Sequence, residues 1–374
     1  MKILQFGKFY PPFIGGIELF MYDLTEELNK RGISCDVLSS NKMNKTVIDR
    51  IDNYSVIRAK SLGMFLSTSL SPSLIYWLRK IYKKYDIIHL HHPNPMANLA
   101  LFLVNPYTKI VIHWQSDIIR QRVLLRLYHP LLIWMLKKAD KIIASSKEYA
   151  DYSYYLQKFK NKTQIIPLGI NPNRIKEIDS NCIKQLQHKY KGYKIIFSLG
   201  RLVYYKGFEY LINSAQYLPD DHLILIGGYG ELFTHLKKII RNKKIEKRVY
   251  LLGKLSNTQL SAYYTLCDVF VLPSIERSEA FGLVQVEAMF FGKPIVSTCI
   301  LGSGVSSVNI NGHTGFVVEP KNSQRLAQAI CKITGNDDLM RRFSLNSKKR
   351  FTDTYHISQI TDQITEAYKS LITQ

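Results

Sequence analysis

The sequence predicts an α/β protein of two domains, each built on a parallel sheet. Three observations carry that expectation. At 374 residues the chain is long enough for two separate cores. Strand-like and helix-like patterns alternate along its whole length, which is the signature of parallel sheets covered by helices. The alternation also restarts after Ile165-Ile166-Pro167-Leu168-Gly169-Ile170-Asn171-Pro172-Asn173, where prolines and a glycine bracket a turn. An apolar fraction of 46% and a charged fraction of 21% are those of a globular chain, so a disordered or fibrous class is excluded.

The first block opens with Ile3-Leu4-Gln5-Phe6, a short apolar run of buried-strand type. Ile17, Phe20, Met21, Leu24 and Leu28 then recur at the spacing of one helical face, and Lys30, Arg31 and Gly32 mark the stop. Further strand-like runs are Asp36-Val37-Leu38, Ile87-Ile88-His89-Leu90, Lys109-Ile110-Val111-Ile112 and Lys141-Ile142-Ile143-Ala144. The second block begins at Lys194-Ile195-Ile196-Phe197-Ser198-Leu199-Gly200. It continues through Leu223-Ile224-Leu225-Ile226, Val249-Tyr250-Leu251-Leu252, Val269-Phe270-Val271-Leu272, Pro294-Ile295-Val296-Ser297 and Gly315-Phe316-Val317-Val318. Ser256-Asn257-Thr258-Gln259 reads as a capping box opening a helix with Leu260, Tyr263 and Tyr264. Residues 1–168 and 169–356 are the expected domains. A last helix over 357–374 puts Ile360, Ile364, Ala367, Tyr368 and Leu371 on one face, which must dock on something.

With 51 Lys and Arg against 29 Asp and Glu, the net charge of +22 favours a polyanionic partner: nucleic acid, anionic lipid or a phosphorylated substrate. Two segments combine Lys and Arg with Trp, Tyr and Leu at helical spacing. They are 74–85, from Leu74 through Trp77 to Tyr85, and 118–138, from Ile118 through Arg126 and Trp134 to Lys138. Such segments suit an anionic bilayer surface, or else a packed helix with a solvated basic face. No apolar run approaches the roughly 18 to 20 residues of a membrane span. The start reads as a strand rather than a signal peptide, so a cytoplasmic protein is expected. Cys35, Cys182, Cys267, Cys299 and Cys331 are odd in number and widely spaced, which argues for reduced thiols.

Glu279-Ala280-Phe281-Gly282-Leu283-Val284-Gln285-Val286-Glu287 holds two carboxylates with seven residues between them. It follows a strand and runs through a loop into a short helix from about Gly282 to Phe291, ended by Gly292 and Pro294. A helix start favours a phosphate, and Glu287, one turn in, leans back toward it. Glu287 thus suits ribose hydroxyls and Glu279 those of a sugar beyond the phosphates; two solvated surface glutamates are the alternative. Arg201 and Lys206 in Gly200-Arg201-Leu202-Val203-Tyr204-Tyr205-Lys206-Gly207 lie after a strand and fit a diphosphate or an ordinary charged loop. Gly227-Gly228-Tyr229-Gly230 and Gly302-Ser303-Gly304-Val305-Ser306 are weaker glycine-rich loops. In the first block, Tyr10-Pro11-Pro12-Phe13-Ile14-Gly15-Gly16 would expose amides to an anion. His113 closes a strand, where it serves a sugar hydroxyl, a proton transfer or the structure alone. His89-Leu90-His91-His92 is not expected to bind a metal, because alternation sends His92 to the opposite face. No Asp-x-Asp pair for a metal-bound diphosphate occurs.

Taken in order, these segments resemble family four of the retaining glycosyltransferases, with the GT-B architecture of two facing Rossmann-like domains and a last helix crossing back to the first. The likeness spans nearly the whole chain. Its most specific parts are the Glu-x-seven-Glu segment and the Gly-Arg-Leu…Lys-Gly loop; Asn171 stands where aspartate is more usual in the interdomain segment. The resemblance implies an acceptor-binding first domain and a nucleotide-sugar-binding second domain. It implies that Arg201 and Lys206 hold the donor diphosphate, Glu279 the transferred sugar and Glu287 the ribose. The amides of Phe281 and Gly282, with Leu283 following, meet sugar or phosphate. Gly15 and Gly16 approach from the other domain, His113 touches the sugar near the reacting carbon, and Lys254 and Leu255 lie where the base is contacted. Glu279, His113, Arg201 and Lys206 form the implied catalytic set.

The resemblance further implies metal-free transfer with retention, the leaving phosphate accepting the acceptor's proton on the same face. The expected reaction moves a hexose, foremost mannose from GDP-mannose, to a polyprenyl-diphosphate-linked saccharide on the inner face of a bacterial plasma membrane, in O-antigen or related polysaccharide assembly. A UDP-sugar-dependent hexosyltransferase is the runner-up. A nucleotide-sugar epimerase and a nucleic-acid-binding protein stand further off, and the chain shows no zinc-finger or ribonucleoprotein signature.

Overall fold

The computed structural model describes every residue except 14, 67, 119–121, 177, 178, 373 and 374; the side chains of 122–124 also lie outside the description. The chain divides into two compact units. One comprises Met1–Leu168 with Ile357–Gln374, the other Gly169–His356.

The first unit holds an eight-stranded sheet in the order Thr163–Ile165, Lys141–Ala144, Lys109–Trp114, Ile87–His92, Lys2–Phe6, Ser34–Ser40, Tyr54–Ala59, Val47–Ile51. All neighbours are parallel except the last pair, an antiparallel hairpin turned at Asp52. The central strands are apolar runs because helices cover both their faces: Ile3, Leu4, Ile87, Ile88, Ile110 and Val111 are buried. Helix Gly16–Lys30 packs Phe20, Met21, Leu24 and Leu28 inward, the face that the sequence periodicity marks.

The last helix, Ile357–Ile372, docks on this unit. It buries Ile360, Ile364, Ala367, Tyr368 and Leu371. Arg31 Nη2 donates to the Ser358 carbonyl at 2.8 Å and pairs with Asp362, while Lys141 Nζ donates to Ser370 Oγ at 2.8 Å. Of the two basic segments, 74–85 forms helix Ser73–Ile81 and a further short turn; Leu74, Leu78 and Ile81 face the core, and Tyr76, Arg79 and Lys80 face solvent. The second reaches into residues 119–121, outside the described set, and continues as helix Arg122–Lys138. There Leu132, Met135 and Leu136 are buried and Leu127 is exposed.

The second unit holds six parallel strands in the order Val249–Gly253, His222–Gly227, Lys194–Leu199, Val269–Leu272, Ile295–Thr298, Gly315–Val318. Its core gathers Ile196, Leu211, Ile224, Val269, Val271 and Ile330. The capping box forms: Ser256 Oγ accepts from the Gln259 amide at 3.2 Å, and Gln259 Oε1 accepts from the Ser256 amide at 3.0 Å. It starts helix Asn257–Leu266. Among the described residues, no helix is long and apolar enough to cross a membrane.

Candidate functional site

In the second sheet the strand order reverses beside Lys194–Leu199, which has His222–Gly227 on one side and Val269–Leu272 on the other. Chain leaving Leu199 and chain leaving Leu272 therefore diverge and open a crevice at the strands' carboxyl ends, where open α/β sheets take ligands. Two loops line it, 200–207 and 273–282. They are tied together, since the Ile275 amide donates to the Tyr205 carbonyl at 2.8 Å. Gly207 permits the approach: at φ +64° it leaves no space for a Cβ, which would stand 2.2 Å from the Pro273 carbonyl oxygen.

That contact brings Lys206 to Glu279. The ammonium lies 2.5 Å from Oε2, with each side chain 11% exposed. Ser274 Oγ donates to the same oxygen at 3.0 Å. The loop bearing Glu279 is braced from behind by the glycine-rich segment 302–306. Ser303 Oγ donates to the Glu279 carbonyl at 2.5 Å, the Gly304 amide to the Ala280 carbonyl at 2.8 Å, and Arg277 Nε to the Gly302 carbonyl at 2.9 Å. This segment thus supports the acidic loop. Arg201 differs from Lys206: its side chain is exposed, with Nη2 3.2 Å from the Tyr205 hydroxyl. One cation is therefore set in the wall and the other is presented outward.

Helix Leu283–Phe290 starts from Gly282, whose φ of +81° turns the loop into the helix. A Cβ there would meet Gln285 Nε2 and Leu272 Cδ2, each at 2.7 Å, so only glycine fits. Its first turn has amides without intrahelical partners. Phe281 is buried edge-on against Tyr355, with ring centroids 6.0 Å apart, and Leu283 is half-buried. Glu287, one turn in, is buried. Arg174 Nη2 lies 3.1 Å from its Oε1, and the Tyr264 hydroxyl donates to its Oε2 at 3.0 Å. Burial first, and the Glu287 charge second, push the Tyr264 hydroxyl's pKa well up, so it remains a donor. Neither partner stands out in the sequence as a site residue, although Tyr264 lies on the capping-box helix.

The loop after His222–Gly227 comes close to loop 200–207: the Gly200 amide donates to the Gly227 carbonyl at 3.1 Å, and the Leu202 amide to the Tyr229 carbonyl at 3.2 Å. A Cβ on Gly228, at φ +126°, would lie 1.9 Å from the Gly200 oxygen. These glycines thus serve loop packing. Leu255 folds over Gly227, its Cδ1 2.8 Å from where a Cβ would be, and Lys254 is exposed beside it.

Three candidates belong to the first unit. Gly15 caps helix Gly16–Lys30 in extended conformation, with Glu18 lying against it. Among the described residues nothing stands within 4 Å of a Cβ built on Gly16, so the helix start has space there. Segment 10–16 is held at Pro11, whose carbonyl accepts from Arg58 Nε at 3.1 Å; Ile14 lies outside the described residues.

His113 lies deeper than the other candidates. It is fully buried on strand Lys109–Trp114, 4.9 Å edge-on from Phe20 and stacked on His89 and His91 at 5.4 and 5.7 Å. Inward alternation at that register sends the side chain into the sheet's covered face. Among the described residues neither ring nitrogen has a hydrogen-bond partner, and burial lowers its pKa to about 3, so the imidazole is neutral. His92 points the other way and stacks on Trp114 at 4.0 Å, as alternation predicts. Among the described residues no group of three or more His, Cys, Asp or Glu is placed to hold a metal.

Comparison with known proteins matches two family descriptions in tandem, "Glycosyltransferase Family 4" over residues 14–174 and "Glycosyl transferases group 1" over 179–350. The chain is 30% identical to the O-antigen chain mannosyltransferase C of Escherichia coli, covering 100% of this chain and 99% of that one. It is 29% identical to the D-rhamnosyltransferase WbpZ of Pseudomonas aeruginosa, covering 95% and 92%. Among solved structures, Anabaena HepE in complex with UDP-glucose shares the fold at a TM-score of 0.74 and 20% identity, over 99% of this chain and 100% of that one.

Proposed function

The chain belongs to glycosyltransferase family four and has the two Rossmann-like domains of the GT-B fold, and from that premise we propose that it transfers mannose from GDP-mannose to a lipid-linked saccharide during bacterial surface-polysaccharide assembly. The observation that carries the reading is the Lys206–Glu279 pair at the switch point of the second sheet, beside an outward-facing Arg201 and the start of a helix. A nucleotide diphosphate needs cations and amides, a hexose needs a carboxylate acceptor for its hydroxyls, and this crevice supplies both. Full-length similarity to an O-antigen chain mannosyltransferase supports mannose as the sugar and a growing O-antigen chain as the acceptor.

Lys206 and Arg201 stabilise the charge that grows on the leaving diphosphate. Glu279 orients the sugar, and its pairing with Lys206 loosens as donor phosphate takes over the ammonium. Transfer proceeds with retention, the leaving phosphate taking the acceptor's proton, and protein cations do the neutralising that a metal would otherwise do. A panel of GDP-, UDP- and ADP-sugars tests the proposal by binding and slow hydrolysis. GDP-mannose should bind tightest and be hydrolysed equally well with EDTA present. Preference for a UDP-sugar would favour the other hexosyltransferase reading, and free epimerised sugar without acceptor an epimerase.

The first domain is proposed to meet the acceptor at an anionic membrane surface. Besides the basic helix Ser73–Ile81, a hairpin of Met64–Phe65 and Thr68–Ser69 supports this. Met64, Phe65 and Leu66 are each at least half exposed, and Leu62 is 68% exposed. Ser61 Oγ holds the hairpin's base through Ser69 Oγ at 2.9 Å and the Leu70 carbonyl at 3.1 Å. Ser73 Oγ, on the basic helix, donates to the Lys60 carbonyl at 2.7 Å. Apolar tip and cationic helix are thus neighbours, the combination that interfacial binding uses.

A further inference from the structure

Glu287 is engaged before any ligand arrives. Arg174 Nη2 meets Oε1 at 3.1 Å, with side-chain exposures of 12% and 6%, and the Tyr264 hydroxyl meets Oε2 at 3.0 Å. An ionised carboxylate has about two acceptor directions on each oxygen. One direction on each oxygen therefore remains, and a pair of neighbouring hydroxyls, such as a ribose 2′,3′-diol, needs two such acceptors side by side.

Both partners are themselves fixed. Arg174 lies on the short turn Pro172–Ile175, which Asn171 starts by accepting the Asn173 amide at 3.1 Å. The far end of that turn is pinned, because Ile175 is buried and its carbonyl accepts from Ser261 Oγ at 2.5 Å. Ser261 and Tyr264 belong to the same helix, Asn257–Leu266. The Tyr264 ring is fully buried and stacks on Phe291 at 5.3 Å. Two elements that no sequence motif connects therefore converge on one carboxylate.

We infer that Arg174 and Tyr264 are positioning residues that hold the Glu287 carboxylate in the single rotamer that receives the donor's ribose diol. The inference rests on the proposed role of Glu287 as the ribose acceptor. The physical need is plain: a carboxylate this deeply buried is disfavoured unless a cation and hydrogen bonds compensate it. With Arg174 removed, the Glu287 carboxylate is free to rotate, and its paired acceptors are lost. Tyr264 restrains the other oxygen, so losing its hydroxyl frees the carboxylate to turn about the remaining bond.

The test compares binding of GDP and 2′,3′-dideoxy-GDP to the full chain, or the uridine pair if UDP binds more tightly. Wild type should prefer the ribose form by about tenfold or more, and Glu287→Gln should reduce that preference to about threefold or less. Arg174→Gln and Tyr264→Phe should each reduce it at least threefold and raise the donor KM with little change in kcat, while Arg174→Lys should restore part of it. Tyr264→Phe keeps the ring packing, so it remains informative even if an Arg174 variant folds poorly. An undiminished preference in Glu287→Gln, or no preference in wild type, overturns the ribose reading and the inference with it. Loss in Glu287→Gln with full preference retained in Arg174→Gln and Tyr264→Phe overturns the positioning role alone. Tighter GDP binding by Arg174→Gln also overturns it, since the arginine would then be obstructing the site.

Discussion

Lys206 and Glu279 neutralise each other in a nearly closed wall, and that determines how substitutions of either will read. Glu279→Gln keeps the shape and the Ser274 contact while removing the charge. Lys206→Ala leaves a buried carboxylate without its cation, which adds a loss of stability to any loss of rate. Each should lower transfer at saturating donor at least about a hundredfold, roughly 2.7 kcal/mol of barrier. Initial rates, with melting temperatures measured alongside, separate the two effects; near-normal turnover by a folded Glu279→Gln would remove Glu279 from the mechanism. The roles of Glu279 and Lys206 are suggested by their sequence neighbours, but their direct pairing is not. That pairing arises because two loops from different strands touch, a contact without any local sequence signal. The burial of His113 is hidden from the sequence for a complementary reason. A strand-end histidine reads as available, whereas the register of Lys109–Trp114 turns it under helix Gly16–Lys30 against Phe20.

Among the elements, the strand Ile87–His92 and its neighbour Lys109–Trp114 carry four buried imidazoles, and their pH behaviour follows. Burial lowers His92 and His113 to about 3, and burial followed by neighbouring imidazoles holds His89 and His91 well below their ordinary value. The unfolded chain protonates the same groups below about pH 6.5 and so binds more protons than the folded one. Stability contributed by these histidines is therefore intact above that pH and declines as pH falls toward 3. At pH 5 the loss is about 2 kcal/mol for each of His92 and His113. Melting temperature should fall between pH 7 and 5, and His92→Phe, which keeps a ring against Trp114, should flatten the slope. A wild-type melting temperature independent of pH over that range would mean these rings are not held neutral. The apolar strands are legible because both their faces are covered. The hairpin Val47–Ile51 and Tyr54–Ala59 is not, because Val-Ile-Asp-Arg-Ile does not alternate and its edge position exposes Asp49 and Arg50. Thr163–Ile165 is short, polar and at the opposite edge.

For the molecule as a whole, the proposed membrane contact combines the +22 charge with the apolar hairpin tip. Charge by itself gives attraction that salt screens beyond a Debye length of about 10 Å at 0.1 M and weakens further as salt rises. Added burial of Leu62, Phe65 and Leu66 would leave a salt-resistant part. The protein should sediment with phosphatidylglycerol vesicles and not with phosphatidylcholine ones. Phe65→Ser with Leu66→Ser should remove the binding that persists at high salt, and Arg79→Glu with Lys80→Glu the salt-sensitive part. Equal sedimentation with both lipids would argue against an electrostatic membrane surface.

The sequence alone was sufficient for the alternating α/β plan, the capping box, the apolar face of the last helix and the family likeness. Each of these depends on local spacing or on a short motif, which tertiary packing amplifies but does not create. The tertiary structure alone decided that Glu279 meets Lys206, that Arg174 and Tyr264 share Glu287, that segment 302–306 braces the acidic loop, and that His113 lies in the core. Those are contacts between residues far apart in the chain, or the outcome of which sheet face a helix covers. They follow from strand order and burial, which no local pattern encodes.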